Sequence, residues 1–257
     1  KLLKSNHRKQ LEAIYGTLIF KKGELAQKTF SPEIIGELQK ENKLSTEYSK
    51  LLAGAEIEFK GGTYNLSQMA PFTQDTNRDI RHRAHLAVSG FFAENEETLD
   101  RIYDDMVKVR SEIAKKLGYE NFVQLGYDRF GRTDYNAADV KTYRDQIYEE
   151  IVPIVTELTQ RKGVRLGIKD LKSYDLPLSF LSGNPKPQGD RVWQVDKATK
   201  MYDAMSKETS EFFHFMLDHE LLELDSKPGK QGGGYCTYLP DYRAPFIFAN
   251  FNGTSHD

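Results

Sequence analysis

Apolar residues recur at three- and four-residue spacing through most of this 257-residue chain, which commits it to amphipathic helices packed on one another. Ile80, Ala84, Ala87, Val88 and Phe91 share one helical face. Leu99, Ile102, Tyr103, Met106, Val109 and Ile113 form the next stripe, with Gly118 placed to end it. A third stripe runs through Val140, Tyr143, Ile147, Ile151, Ile154 and Leu158. Pro153 lies inside it and predicts a kink or a new first turn, because proline donates no hydrogen bond and its ring crowds the preceding turn. A fourth, through Ala198, Met201, Tyr202, Met205, Phe212 and Met216, reads as core in which adaptable methionine side chains fill gaps. Ser31-Pro32-Glu33 is a helix start: a capping hydroxyl, a proline at the first helical position and an acid favoured by the dipole.

Two segments depart from the helical period. Residues 56–59 and 63–66 alternate polar and apolar side chains around Gly61-Gly62, which predicts a hairpin. The last thirty or so residues also turn strand-like. Gly232-Gly233-Gly234 opens this region, residues 235–239 precede a turn at Pro240-Asp241, and residues 245–251 are almost wholly apolar. Residues 182–190, rich in Gly and Pro, read as a surface loop.

Composition narrows the function classes. Apolar residues make up 39% and charged residues 29%, enough for a packed core. The 36 basic and 38 acidic residues nearly balance, which argues against binding nucleic acid through a basic surface. No apolar run approaches the ~20 residues that a membrane helix needs. The single cysteine, Cys236, rules out an intrachain disulfide and points to a reducing compartment, so a cytoplasmic location is expected. The chain opens without a methionine or a signal-like apolar core, which suggests a cut at this end.

A search for complete catalytic sets finds none. His82 and His85 sit among arginines on a helical stretch and read as a solvated face. His219-Glu220 begins like a zinc-binding H-E-x-x-H helix, but Glu223 stands where the second histidine belongs, so it reads as a helix end. Ser255-His256-Asp257 holds the three triad residue types in a row, yet consecutive side chains diverge. Cys236 could serve as a nucleophile if a histidine approached it; a lone strand cysteine is more often a small buried apolar group. The Gly run lacks the Lys-Ser/Thr and helix start of a phosphate loop, and reads instead as a flexible connection or a close backbone approach.

Asn252-Gly253 is a turn signal, and residues 254–257 read as a capping-box-like helix start. A helix start in last position predicts that the native protein continues. Residues 245–251 can be read in two ways. As an ordinary core strand they carry no function, and from the residues alone this is the preferred reading. As an edge strand they would offer free N–H and C=O groups to an extended peptide, whatever its sequence.

The run from Gly232 to Thr254, Gly-Gly-Gly-Tyr-Cys-Thr-Tyr-Leu-Pro-Asp-Tyr-Arg-Ala-Pro-Phe-Ile-Phe-Ala-Asn-Phe-Asn-Gly-Thr, closely resembles the stretch before the H-E-x-x-H helix in the oligoendopeptidase F group of the thimet-oligopeptidase-like zinc metallopeptidases. Gln124-Leu-Gly-Tyr-Asp-Arg-Phe-Gly-Arg-Thr-Asp-Tyr135, Ala55-Glu-Ile-Glu-Phe-Lys-Gly61 and Lys207-Glu-Thr-Ser-Glu-Phe-Phe213 resemble the same group, in the same order. The resemblance implies a mainly α, elongated multi-helix peptidase fold, with a small β-sheet whose edge strand lines the active-site channel. It implies an N-terminal helical region with a small hairpin over residues 1–70. The front part of the catalytic domain would then fill residues 71–257 and stop just before the zinc-binding helix.

Family members bind one zinc through the two histidines of H-E-x-x-H and a downstream glutamate, so the resemblance implies Zn2+ held by residues beyond Asp257. It places no catalytic residue and no metal ligand in this chain, which should be inactive by itself. Its substrate-binding residues would be Phe248, Ala249, Asn250 and Phe251, pairing with the peptide backbone, with Gly253 at the turn and Tyr235 and Arg243 lining the groove. The partners implied are short unfolded peptides and the remaining C-terminal part of the same protein, with no nucleic acid and no membrane. Two other readings stand beside this one: a non-catalytic helical peptide-binding or scaffold protein, and, more remotely, a hydrolase using Cys236.

Overall fold

A computed structural model describes residues 2–255 and 257; Lys1 and His256, the middle residue of the Ser-His-Asp run, lie outside the described residues. The chain opens with α1 (Arg8–Tyr15), α2 (Leu18–Lys28) and α3 (Ile35–Ala53), followed by a hairpin of β1 (Ile57–Phe59) and β2 (Gly62–Tyr64). Then come α4 (Ala70–Thr73), α5 (Arg78–Glu94), α6 (Glu96–Lys116), α7 (Phe122–Arg129), α8 (Ala137–Gln146), α9 (Val152–Arg165), α10 (Arg191–Met205) and α11 (Lys207–Asp218). Three strands close it: β3 (Leu222–Asp225), β4 (Tyr235–Leu239) and β5 (Ala244–Phe251). The mainly α class with a small sheet is as expected.

Local chemistry explains most boundaries. Ser31 Oγ accepts the Glu33 N–H at 3.3 Å, and Pro32 opens a short 3-10 turn that runs into α3. Gly118, two residues past α6, has φ +80°, a conformation that costs glycine little. The third stripe divides at the proline: a π-helical turn, Ile147–Ile151, follows α8, and Pro153 is the second residue of α9. The fourth stripe divides at Ser206, whose hydroxyl accepts the Thr209 N–H at 3.2 Å and starts α11. In the hairpin Phe59 faces Gly62, so Lys60 and Gly61, at φ +48° and +83°, form the loop that matches strand twist.

Packing divides the chain into two compact units, residues 1–48 with 97–158 and residues 49–96 with 159–257. The core of the first unit draws on segments far apart in sequence. In the first unit Ile34 packs with Val109, Ile113 and Ala114 of α6 and Leu125 of α7. There Glu41 of α3, 5% exposed, accepts from Arg110 at 2.8 Å and Arg129 at 2.9 Å. Burial would raise its pKa, and the two guanidinium groups together hold it below the ordinary value.

In the second unit Ile57 and Phe59 of the hairpin pack with Met69 and Ala84, and the Phe72 ring meets Phe59 and Tyr64 at centroid distances of 5.2 and 5.0 Å. The fully buried Asp175 carboxylate accepts from Arg78 Nη2 and Arg81 Nη2, each at 2.8 Å. Burial alone would raise this carboxyl's pKa; Arg78, the Lys172 N–H and Arg81 outweigh it and hold the group well below the carboxylate range.

Two helical stripes are not the core that their spacing suggested. Tyr143, Ile151, Ile154 and Leu158 are exposed among the described residues, as are Met201, Met205 and Phe212, whereas Met216 is buried. Among the described residues no helix is long and apolar enough to cross a membrane.

Candidate functional site

The C-terminal sheet lies in the second unit, with strand order β3-β5-β4. β5, the most apolar of the three, is therefore the central strand and not the edge. It runs parallel to β3, with Leu222 opposite Ile247 and Asp225 opposite Phe251, and antiparallel to β4, with Tyr235 opposite Phe248 and Leu239 opposite Ala244. β5 is paired to β3 over residues 247–251 and to β4 over residues 244–248, so of the four residues that the resemblance named for backbone pairing, Phe248 has a partner strand on both sides, and Ala249, Asn250 and Phe251 lie beside β3 on one side and the glycine run on the other.

The hydrogen bonds show which groups remain free. The Ile247 N–H donates to Leu221 O at 2.9 Å, on the β3 side, and Phe251 O accepts from Ser226 N at 3.3 Å on that same side. Backbone direction alternates along a strand, so residues 247, 249 and 251 face β3 while Phe246 and Phe248 face β4. Cys236 and Tyr238 stand opposite Ile247 and Pro245. Both pairs are then of the non-hydrogen-bonded kind, and Cys236 and Tyr238 turn their N–H and C=O groups outward. Pro245, which has no N–H, costs the β4 ladder nothing in this position. All five residues of β4 are exposed. The outer side of β3 instead borders a recess lined by Arg191 and Val195 of α10 and Met216 and Leu217 of α11, where Arg191 pairs with Asp225 at 2.8 Å. Of the two outer strands, β4 is the one exposed along its whole length among the described residues.

Beside β4 lies a recess of about 740 Å3, lined by Glu223, Lys227, Lys230, the glycine run, Tyr235 and Phe248. The Tyr235 and Phe248 rings stack with centroids 5.1 Å apart and an 11° interplanar angle. Tyr235 lies on β4 and lines this recess. Arg243 is exposed in the turn from β4 to β5, with φ +48° and its N–H on Pro240 O at 3.2 Å. Gly253, at φ +80°, donates its N–H to Asp257 Oδ2 at 2.6 Å, and the Asn252 N–H donates to the same carboxylate at 2.9 Å. The Asp257 carboxylate thus reaches back to residues 252 and 253, two and one positions before the Thr254 cap expected for it.

The glycine run is a close approach. A Cβ on Gly234 would stand 3.1 Å from Phe248 O, and one on Gly232 would stand 3.0 Å from Ser67 Oγ. Asn250 Nδ2 donates to Gln231 O and Gly233 O, each at 2.8 Å, so Asn250 holds the connection to β4 through its side chain. Lys230 and the outward groups of Cys236 and Tyr238 were not singled out from sequence; the polar and aromatic mixture of β4 beside the apolar β5 was the signal for which strand is the edge.

The other candidates are placed as follows. His82 stacks on Tyr174 at 4.4 Å, and His85 Nε2 lies 3.4 Å from Ser173 Oγ. His219 ends α11, its Nδ1 2.9 Å from Phe215 O, and Glu220 follows with φ +53°. Cys236 is exposed on β4, against the buried position usual for a lone strand cysteine. Among the described residues no three His, Cys, Asp or Glu side chains gather as metal ligands.

No family profile and no curated protein sequence matches the chain. Solved structures do. A structure assigned as oligoendopeptidase F superposes with TM-score 0.95 at 49% identity, over 99% of this chain and 45% of its own. PZ peptidase A, solved with an inhibitor, gives 0.95 at 50% identity, over 99% and 45%. A structure from Bacillus anthracis str. Ames, also assigned as oligoendopeptidase F, gives 0.94 at 53%, over 99% and 47%. The chain thus spans under half the length of the proteins it matches. With this fold and about half its residues in common over nearly its whole length, the chain belongs to the oligoendopeptidase F group.

Proposed function

We propose that the full-length protein is a zinc-dependent oligopeptidase that hydrolyses short unfolded peptides, and that this chain contributes the strand on which the peptide lies. The carrying observation is the free edge of β4: two residues, Cys236 and Tyr238, with outward N–H and C=O groups on an exposed strand. Such an edge can accept a fourth strand, antiparallel or parallel, through main-chain hydrogen bonds, which gives affinity without dependence on peptide sequence. The stacked Tyr235 and Phe248 rings beside it offer an apolar surface to a peptide side chain.

The residues present do not make a metal site, since no ligand cluster forms among those described. The zinc of this proposal is held by residues that follow Asp257, and no step of the chemistry is assigned to side chains of this chain. Membership in a group whose solved members are named as peptidases supports hydrolysis over a purely scaffolding role.

The test is cleavage of a fluorogenic peptide by the full-length protein, with and without a chelator, followed by metal analysis. Turnover that chelation abolishes and zinc restores is the expected result. A full-length protein that binds peptides but cleaves none, with no bound metal, would establish the scaffold reading instead.

A further inference from the structure

We infer that Lys230 is a positioning residue for the peptide-pairing edge: its buried ammonium pins the connection between β3 and β4 and so fixes the register of β4. This inference rests on the edge reading above.

The starting point is an irregularity in the parallel ladder. Glu223 faces Phe248 and Asp225 faces Phe251, so two steps along β3 match three along β5. Backbone groups in such a gap lose their regular partners. The Lys230 side chain, 8% exposed, fills it. Its Nζ donates to Ala249 O at 2.5 Å and to Asp225 O at 2.7 Å, and lies 3.3 Å from both Glu223 O and Glu223 Oε1. The same ammonium stands 4.5 Å from the centre of the Phe248 ring, on which Tyr235 stacks. Carbonyls of both strands and a carboxylate thus converge on one tethered cation.

From that anchor the chain has little freedom before β4. Upstream, Asn65 Nδ2 donates to Lys227 O at 3.0 Å and Ser226 Oγ at 3.2 Å. Downstream, Asn250 holds Gln231 and Gly233, and Gly234 passes against Phe248 O. The glycines permit this path but do not enforce it, because glycine has many other conformations open to it. The fastenings enforce it, and Lys230 is the one that ties β3, β5 and the Phe248–Tyr235 stack at a single point. Without the ammonium, β4 can slide or fray at its Tyr235 end, and the outward groups of Cys236 and Tyr238 move with it. A slip of one residue exchanges inward for outward groups along the strand.

The test uses the full-length protein and a peptide with several cleavable bonds. Lys230→Met keeps the stem and removes the charge. Expected are a KM raised at least tenfold and cleavage spread over neighbouring bonds by mass spectrometry, with Lys230→Arg moving both back toward the parent. A merely structural loss would lower the active fraction, leaving KM and cleavage positions unaltered. A folded Lys230→Met protein with parental KM and parental cleavage positions overturns the inference. Should that variant not fold, Asn250→Ala releases the second fastening, and unchanged cleavage positions there overturn it equally. Cys236→Pro, assayed in parallel, separates the two levels. If it raises KM while Lys230→Met does not, the positioning role is wrong and the edge stands. If it is silent, the edge reading fails, and any Lys230 effect then belongs to another element.

Discussion

Replacing Cys236 by proline removes one outward N–H from β4 and leaves every β4–β5 ladder bond in place, because Cys236 opposes Ile247 in a pair whose polar groups point away from each other. Proline is tolerated at such edge positions. A peptide bound to this edge loses one hydrogen bond, worth about 0.5–1.5 kcal/mol net. The ring also fills the space next to the edge and stretches the neighbouring contact at Tyr238, so the total loss is about 1–3 kcal/mol. At tenfold per ~1.4 kcal/mol, peptide KM should rise roughly five- to hundredfold. The assay is steady-state cleavage of a short peptide by the full-length protein, with circular dichroism to establish folding. Cys236→Ala keeps the backbone and should match the parent, which also tests the cysteine-hydrolase alternative. Thr237→Pro should behave oppositely: its N–H faces Phe246 inside the ladder, so stability falls before binding is affected. A folded Cys236→Pro protein with parental KM refutes the reasoning.

Other outcomes are open to measurement. Asp175→Asn removes the countercharge of Arg81, which is 1% exposed, and should lower unfolding free energy by about 3–5 kcal/mol in denaturant titration. Because the Asp175 carboxyl is held far below its unfolded pKa of ~3.9, its contribution is complete above that pH and is lost as pH falls toward the folded value; the gap between parent and variant should therefore narrow below about pH 4. Gly234→Ala brings a Cβ to 3.1 Å from Phe248 O, a backbone atom that cannot rotate away, and should cost about 1–3 kcal/mol, read as a lower melting temperature. Removing metal from the full-length protein should abolish peptide cleavage while leaving the far-ultraviolet spectrum of the helices largely intact.

Much of the fold was legible because helices and hairpins are specified locally. Ser31-Pro32 and Gly118 act through their own backbone geometry and stand where their residue types predict; the hairpin also forms, with its loop at Lys60-Gly61, one residue before the expected Gly61-Gly62. Pro153 marked a real break, although a π-helical turn before a proline has no distinct sequence signature. Burial was less legible. The spacing of Tyr143, Ile151, Ile154 and Leu158 gives the helix face, but which face meets a partner depends on elements far away in sequence. The same limit affected the site. Strand order is a tertiary property, so β5 could be taken for an edge from the sequence, and only its pairing with β3 on one side and β4 on the other makes it the central strand. Lys230 is one lysine among many in the sequence; only the convergence of Glu223 O, Asp225 O and Ala249 O upon its ammonium sets it apart.

Amide hydrogen exchange on the full-length protein, with and without a non-cleavable peptide analogue, tests the free edge of β4 most directly. Peptide binding should slow exchange at Cys236 and Tyr238, whose N–H groups face outward, and leave Thr237 and Ile247, already bonded within the sheet, nearly unchanged. Saturating peptide that leaves Cys236 and Tyr238 exchanging at their free rates would contradict it.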